Sequence, residues 1–302
     1  MLKNREFGER VRAEVERKLG DGFNVALMDV RKNNGILLSG INILEKGRTI
    51  GLNIYSEGYE CELEKGKFGS LEAVAEEVIS VYSESVKNIW EENELQDIGN
   101  LLHDKEWVLS KVYPKMVNAE RNKRMLEGMP HKRFLDLAVT YYIRLAEQEG
   151  IGVPSIAVDN KNMEYCGVTA EELDKAALDN IQKGFLTVLS LESVIAELTG
   201  RSIPEREDFP VFVATNKTRL YGAAAMLSYD TLDEVCDRCG KDLIVLPSSV
   251  HEVLLMPKSR EFKENELKDM VGSVNKTAVD EEEYLSGEVY IYSRGSRQMA
   301  VA

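Results

Sequence analysis

Residues 242 to 257 read DLIVLPSSVHEVLLMP, two apolar runs separated by only a few polar residues. Parallel neighbours in a sheet need a crossover of a dozen or more residues, whereas antiparallel neighbours need only a short turn. Two buried strands this close in sequence therefore pair antiparallel, and any fold for this chain must contain that hairpin. The flanking pattern extends the constraint. PVFVATN (210–216) and LYGAAAML (220–227) read as strands before the hairpin, and GEVYIYS (287–293) as one after it. DTLDEVCDRCG and ENELKDMVGSV have helical spacing between them. Short connections of this kind predict an α+β fold with a mostly antiparallel sheet and helices packed on one face.

The N-terminal part has its own logic. Leu2, Phe7, Val11, Val15 and Leu19 recur at near-helical spacing and stop at Gly-Asp-Gly, which predicts an amphipathic opening helix. FNVALMDVRKNNGILLSGINI then places two β-rich runs around an Asn-Gly pair, the strongest short hairpin signal. RTIGLNIYSEGYECELEKG reads as further strands of a meander. Ser70 caps a helix whose apolar face is Leu71, Val74, Ala75, Val78, Ile79 and Tyr82. A small helix-meander-helix domain over residues 1–95 is the expectation.

The acidic, weakly periodic stretch at 96–106 reads as a linker. A larger α+β domain is expected over 107–294, followed by a tail at 295–302. Within it, VLSKVYPKMV reads as a strand and NAERNKRML as a short helix; FLDLAVTYYIRLAE leans to strand, and VPSIAVD looks extended. Thr169 with Glu172 makes a capping box for the helix that ends before Gly184, and Ser190 and Gly200 bracket a second helix.

Charge and cysteine content narrow the function. Fifty-two acidic against 38 basic residues give a formal charge of −14, which repels nucleic-acid phosphates and anionic membrane surfaces. No nucleic-acid or membrane partner is expected. The opening residues are charged at nearly every second position, and no later segment approaches the roughly 18 apolar residues of a membrane span. Four scattered cysteines fit a reducing compartment, so the expected location is the cytoplasm. Cys236 and Cys239 form a C-x-x-C, but both fall in the last turn of a helix, where the dipole does not favour a thiolate, and no further ligands complete a zinc site. No metal and no cofactor is expected.

Two loops carry candidate binding residues. In TNKTRLYG, Asn216, Lys217, Arg219 and Tyr221 place cations and hydrogen-bonding groups at a strand end, and Arg offers a fork suited to an anion. In PSSVHE, Ser248, Ser249, His251 and Glu252 place hydroxyls, an imidazole and a carboxylate within five positions. A nucleophile needs a base that is itself oriented by a third group, which sequence neighbours rarely supply, and no G-x-S-x-G elbow surrounds either serine. The plainer reading is a turn between strands with His251 bonded to backbone. If the strand ending at Thr215 lies beside the one ending at Leu246, these eight residues form one polar patch. Catalytic residues are not identifiable. The basic groups Lys115, Arg121, Lys123 and Arg124 read as a solvated helix face.

Taken together, GILLSGINI, VTAEELDKAALDN, ATNKTRLYGAAAML and LPSSVHEVLLMP, in this order, resemble a family of uncharacterised proteins found mainly in anaerobic gut Firmicutes and catalogued only as a domain of unknown function. The resemblance covers nearly the whole chain. It implies a bacterial cytoplasmic protein with one shared two-part architecture and brings no activity with it. The residues favour a non-enzymatic protein that binds a protein partner or a small anionic ligand. The alternative is a hydrolase or other enzyme acting on a small anionic or phosphorylated substrate through the 215–222 and 246–252 loops.

Overall fold

The computed structural model describes residues 2–93, 97–146, 153–182, 184–204, 209–259 and 262–302. The chain divides into two compact units, Met1–Trp107 with Leu145–Ser155, and Val108–Arg144 with Ile156–Ala302. Among the described residues no helix is long and apolar enough to cross a membrane.

In the first unit, α1 (Leu2–Leu19) is followed by β1 (Phe23–Arg31), β2 (Leu37–Glu45) and β3 (Leu52–Tyr55), which pair antiparallel in that order. Asn34 and Gly35 both take left-handed backbone at the first hairpin, the conformation for which Asn-Gly is suited, and Lys32 N–H closes it on Ile36 O at 2.7 Å. Then come α2 (Glu57–Glu64), α3 (Leu71–Glu92), α4 (Ile98–Leu101) and α5 (Lys105–Lys111), within which the second unit begins. Phe7, Val11 and Val15 of α1 and Val74, Ala75, Val78 and Tyr82 of α3 bury against Val25, Ile41 and Ile43, so the core lies on one face of the sheet. Ser70 caps α3 by accepting from Ala73 N–H at 3.3 Å.

The structure departs from the sequence reading at two places here. GYECELE is helix α2 and not strand: Tyr59 and Leu63, four apart, both pack on the core, a helical spacing that strand alternation hid. The expected linker is also helical where it is described. Asp97 caps α4 through Gly99 N–H at 2.9 Å, and Ile98, Leu101 and Leu102 are buried; residue 96 lies outside the described residues.

The second unit holds two antiparallel sheets. One contains β4 (Val112–Asn118), β5 (Lys132–Phe134) and β6 (Leu137–Arg144), with α6 (Lys123–Leu126) between β4 and β5 and with β7 (Ser155–Ala157) also paired to β6. After α7 (Asn160–Tyr165) and α8 (Ala170–Gln182) come β8 (Leu186–Ser190), α9 (Leu191–Thr199), β9 (Phe212–Asn216), α10 (Tyr229–Cys239), β10 (Leu243–Ser249), β11 (Glu252–Pro257), α11 (Glu264–Thr277), β12 (Tyr290–Ser293) and β13 (Gln298–Val301). The six-stranded sheet runs β13-β12-β10-β11-β9-β8. β10 and β11 form the antiparallel hairpin, from Leu243 opposite Pro257 to a bulge between Pro247 and Ser249. The capping box is present in both directions, Thr169 N–H to Glu172 and Glu172 N–H to Thr169 Oγ1.

Three readings of this part are corrected. VLSK belongs to α5, and the strand starts at Val112. GAAAML is a buried 3-10 turn and not a strand, because Tyr221 enters it in left-handed backbone (φ 57°) and turns the chain under the sheet end. Residues 298–301 are edge strand β13 and not a tail. Arg297 Nε reaches Asp233 at 3.0 Å and Arg294 Nη1 reaches the same carboxylate at 3.2 Å, tying this hairpin to α10.

Candidate functional site

β11 lies between β9 and β10, so the strands ending at Thr215 and Leu246 are not neighbours as the sequence reading supposed. The loops meet nonetheless, because the 249–252 turn starts β11 beside the end of β9. Thr215 Oγ1 donates to His251 O at 2.8 Å, and Ala223 N–H reaches Val250 O. Gly222 has no room for a side chain: a Cβ there would lie 2.2 Å from Thr215 Oγ1 and 2.4 Å from His251 O. This close approach sets Tyr221 flat against His251, ring centroids 5.7 Å apart and planes within 12°. Tyr142 of β6 meets Tyr221 edge-on at 5.1 Å, and Lys115 Nζ of β4 lies 4.1 Å from the centre of the Tyr221 ring.

The hydrogen bonds decide the chemistry. Tyr221 N–H donates to His251 Nδ1 at 3.2 Å, so the imidazole proton belongs on Nε2, which faces Glu283 Oε1 at 3.5 Å. Ser249 Oγ accepts from His251 N–H at 3.0 Å, and Ser248 Oγ donates to Glu252 Oε1 at 3.1 Å. Both hydroxyls therefore serve the turn, one on the Glu252 carboxylate and the other on the His251 backbone. Burial holds the His251 pKa below its ordinary value, helped by the Lys115 charge and opposed by Glu252. Burial, then Asp280 and Glu252, push the Glu283 carboxyl up. Burial and the Tyr221 N–H on Nδ1 both favour the neutral imidazole.

Removing that side chain strips an acceptor from Tyr221 N–H and a ring from the stack, so His251→Ala is expected to lose about 1–3 kcal/mol of unfolding free energy. The pH dependence has a definite sign. The unfolded chain binds a proton near pH 6.5 that the folded site refuses, so the His251 contribution is complete above that value and declines as pH falls below it. Glu283, raised, contributes in the opposite sense: its share is present at low pH and is lost as pH rises through its folded value. Denaturant unfolding from pH 8 to 5 should show a fall that is shallower in His251→Gln than in the parent.

The other predicted residues lie apart from this cluster or serve the backbone. Asn216 is 2% exposed and fully used: Nδ2 donates to Leu220 O at 2.7 Å, while Oδ1 accepts from Thr218 N–H, Thr218 Oγ1 and Leu220 N–H. It shapes the loop, as an Asx turn does. Lys217 is exposed, and Arg219, in left-handed backbone, pairs with Glu197 of α9. Tyr221, Ser248, Ser249, His251 and Glu252 are brought together, with Lys115, Tyr142 and Glu283 added from distant segments. Lys115 lies on β4 and not on the basic helix face where its sequence neighbours suggested it.

A second feature was not read from the sequence. α9 carries Leu191, Val194, Ile195, Ala196 and Leu198, yet no residue of it is buried, and Leu198 is 73% exposed. Ile203 beyond it is 42% exposed, and every residue of the adjoining edge strand β8 is only half-buried. Among the described residues of α9 and its neighbours, Glu192 and Glu197 are set against Arg201 and Arg219.

Cys236 and Cys239 end α10, as their position before Gly240 suggested. Burial raises both thiols, Cys236 to about 11 with further push from Asp242 and Asp233, which is the reverse of what thiolate chemistry needs. Among the described residues no group of three or more His, Cys, Asp or Glu could hold a metal ion.

No curated protein and no solved structure matches this chain. One family model does, over residues 4–294, and that span takes in both units and both loops. The chain belongs to the family of unknown function DUF5688.

Proposed function

We propose that this chain is a non-enzymatic binding protein of the bacterial cytoplasm, from the gut Firmicutes group that TNKTRLYGAAAML and LPSSVHEVLL resemble, and that it acts by protein–protein contact through the β8–α9 corner. The observation that carries this reading is α9, a helix rich in apolar residues with none of them buried. Contiguous apolar surface rimmed by polar groups is what interaction sites expose, and an edge strand offers unpaired backbone groups beside it. The occupant is a second copy of the chain. In a protein of net charge −14 most surfaces repel their like, and a corner where the described charges, Glu192 and Glu197 with Arg201 and Arg219, are of both signs lets two copies meet at less cost. An isologous contact of this kind closes as a dimer.

A hydrolase working through the 215–222 and 246–252 loops finds no support in the hydrogen bonds of Ser248, Ser249 and His251, which are spent on Glu252 and on backbone. A second reading keeps these residues as a ligand contact: Lys115, Ser248, His251 Nε2 and Glu252 make a half-exposed polar rim beside Glu283. With carboxylates outnumbering Lys115, that rim suits a neutral or cationic polar ligand better than the anion first expected.

Sedimentation velocity across micromolar to submillimolar concentrations tests the main reading. The parent is expected to dimerise with concentration, and Leu198→Glu to remain monomeric with an unchanged melting temperature. A parent that stays monomeric throughout rejects self-association. Turnover of a phosphate or carboxylate ester that is lost in Ser248→Ala would overturn the non-enzymatic reading.

A further inference from the structure

The first unit contains a cavity of about 360 Å³, lined by its own residues and by none from the two loops or the β8–α9 corner. That volume lies within the range of small-ligand sites, roughly 300–1,000 Å³. Its walls are Phe23, Tyr82, Val86 and Trp90, and the Phe23 and Tyr82 rings meet edge-to-face at 6.0 Å. Two carboxylates, Glu45 and Glu91, stand at its rim. A smaller cavity of about 50 Å³ adjoins it and shares Glu45, Tyr82, Val86 and Trp90.

The smaller cavity shows what this wall holds. Arg48 lines it with its guanidinium 4.1 Å from the centre of the Trp90 ring, 3.6 Å from Glu45 and 4.0 Å from Asp97. A cation is thus already held against the indole by flanking carboxylates, the arrangement in which ring quadrupole and negative charge act together. The larger cavity is lined by the same kinds of group: Trp90 and Tyr82, the shared Glu45, and a second carboxylate, Glu91. Among the described residues that line it Lys87 is the one cation, with its side chain 70% exposed and 3.8 Å from Glu91. An exposed pair of that kind is weak and swings aside readily.

We propose that this cavity binds an organic cation with an apolar body, its ammonium or guanidinium group seated on the aromatic faces beside Glu45 and Glu91. Two rim carboxylates disfavour an anion. A neutral apolar ligand would fill the volume but leave the carboxylates unused. The site does not depend on the β8–α9 corner, so its failure and the failure of the self-association reading are separately visible.

The test uses the parent chain with choline and its uncharged carbon isostere, dimethylbutanol, as probes of equal shape. Isothermal titration is expected to give choline about tenfold tighter binding than the isostere, the range of a partly desolvated cation–π contact. In a proton–nitrogen correlation spectrum the chain has two indole signals, from Trp90 and Trp107, and only that of Trp90 is expected to move. Glu45→Gln should weaken choline several-fold and leave dimethylbutanol unchanged. Equal affinity for the two probes, binding that leaves the Trp90 signal still, or no choline binding at millimolar concentration would each overturn the proposal. The spectral readout needs no substitution and stands even if a variant fails to fold.

Discussion

Replacing Gly222 with alanine is expected to lower the unfolding free energy by about 3 kcal/mol or more, the upper end of what overpacking costs. The added methyl would sit 2.2 Å from Thr215 Oγ1, 2.4 Å from His251 O and 2.8 Å from Thr215 Cα. A hydroxyl can rotate away, but two of these three atoms are backbone, one on β9 and the other in the turn that opens β11. Relief requires the two segments to separate. Separation breaks the Thr215–His251 hydrogen bond and lengthens the bond from Ala223 N–H to Val250 O. Gly222 does not have positive φ, so the effect is one of space and not of backbone conformation. Urea or guanidinium denaturation measures it directly, and the Tyr221–His251 stack gives a second readout through the imidazole proton shifts. A loss below about 0.5 kcal/mol, the scale of a neutral surface change, would mean that the strands move apart at no cost and that Gly222 does not hold the loops together.

This glycine also marks how far the sequence could be read. A glycine before three alanines marks small residues, but the missing Cβ-sized space concerns two residues that lie 7 and 29 positions away, and nothing local announces the second. The β10–β11 hairpin was legible because its evidence is local: two apolar runs with no room for a crossover. Ser70, Thr169 with Glu172, Ser190 and Gly200 were legible for the same reason, since a cap acts within its own turn. GAAAML failed because small apolar residues suit a buried strand and a buried 3-10 turn equally; the choice was made by left-handed Tyr221 and by the neighbouring strands. The acidic stretch at 97–106 looked like a linker because its charges dominate the composition, while Ile98, Leu101 and Leu102 are enough to bury it. In the site, Ser248 to Glu252 could be seen, but Lys115, Tyr142 and Glu283 arrive by tertiary packing alone. The exposure of α9 was invisible in another way: an apolar helix predicts a buried one, and only the fold shows that none of its residues is fully buried and that Leu198 stands in the open.

Asp136 is a residue that the sequence reading passed over and whose loss should be felt as strongly as the replacement of Gly222. It sits between β5 and β6 as a single acidic residue in an apolar run, FLDLAV, where a surface position is the natural assumption. In the structure its Oδ2 accepts from Ser286 Oγ and its Oδ1 from Tyr290 Oη, each at 2.7 Å. Both donors belong to residues with no exposed surface, and burial drives the Tyr290 phenol far above its ordinary range. Hydrogen bonds to a charged acceptor are worth more than neutral ones, and hydroxyls left buried without a partner carry their full desolvation cost. Asp136→Ala is therefore expected to lose about 3–5 kcal/mol, the sum of two charge-assisted bonds at a half-buried carboxylate. Tyr290→Phe removes one donor and leaves the carboxylate its bond from Ser286, so its cost should be nearer 1–2 kcal/mol. In the double variant the Tyr290 substitution should become nearly free, because the acceptor is already gone. That non-additivity in a denaturation cycle is the decisive quantity. Additive losses would show that Asp136 acts through the turn it occupies, where Ala119 N–H also meets its carbonyl, and not through the side chains it joins.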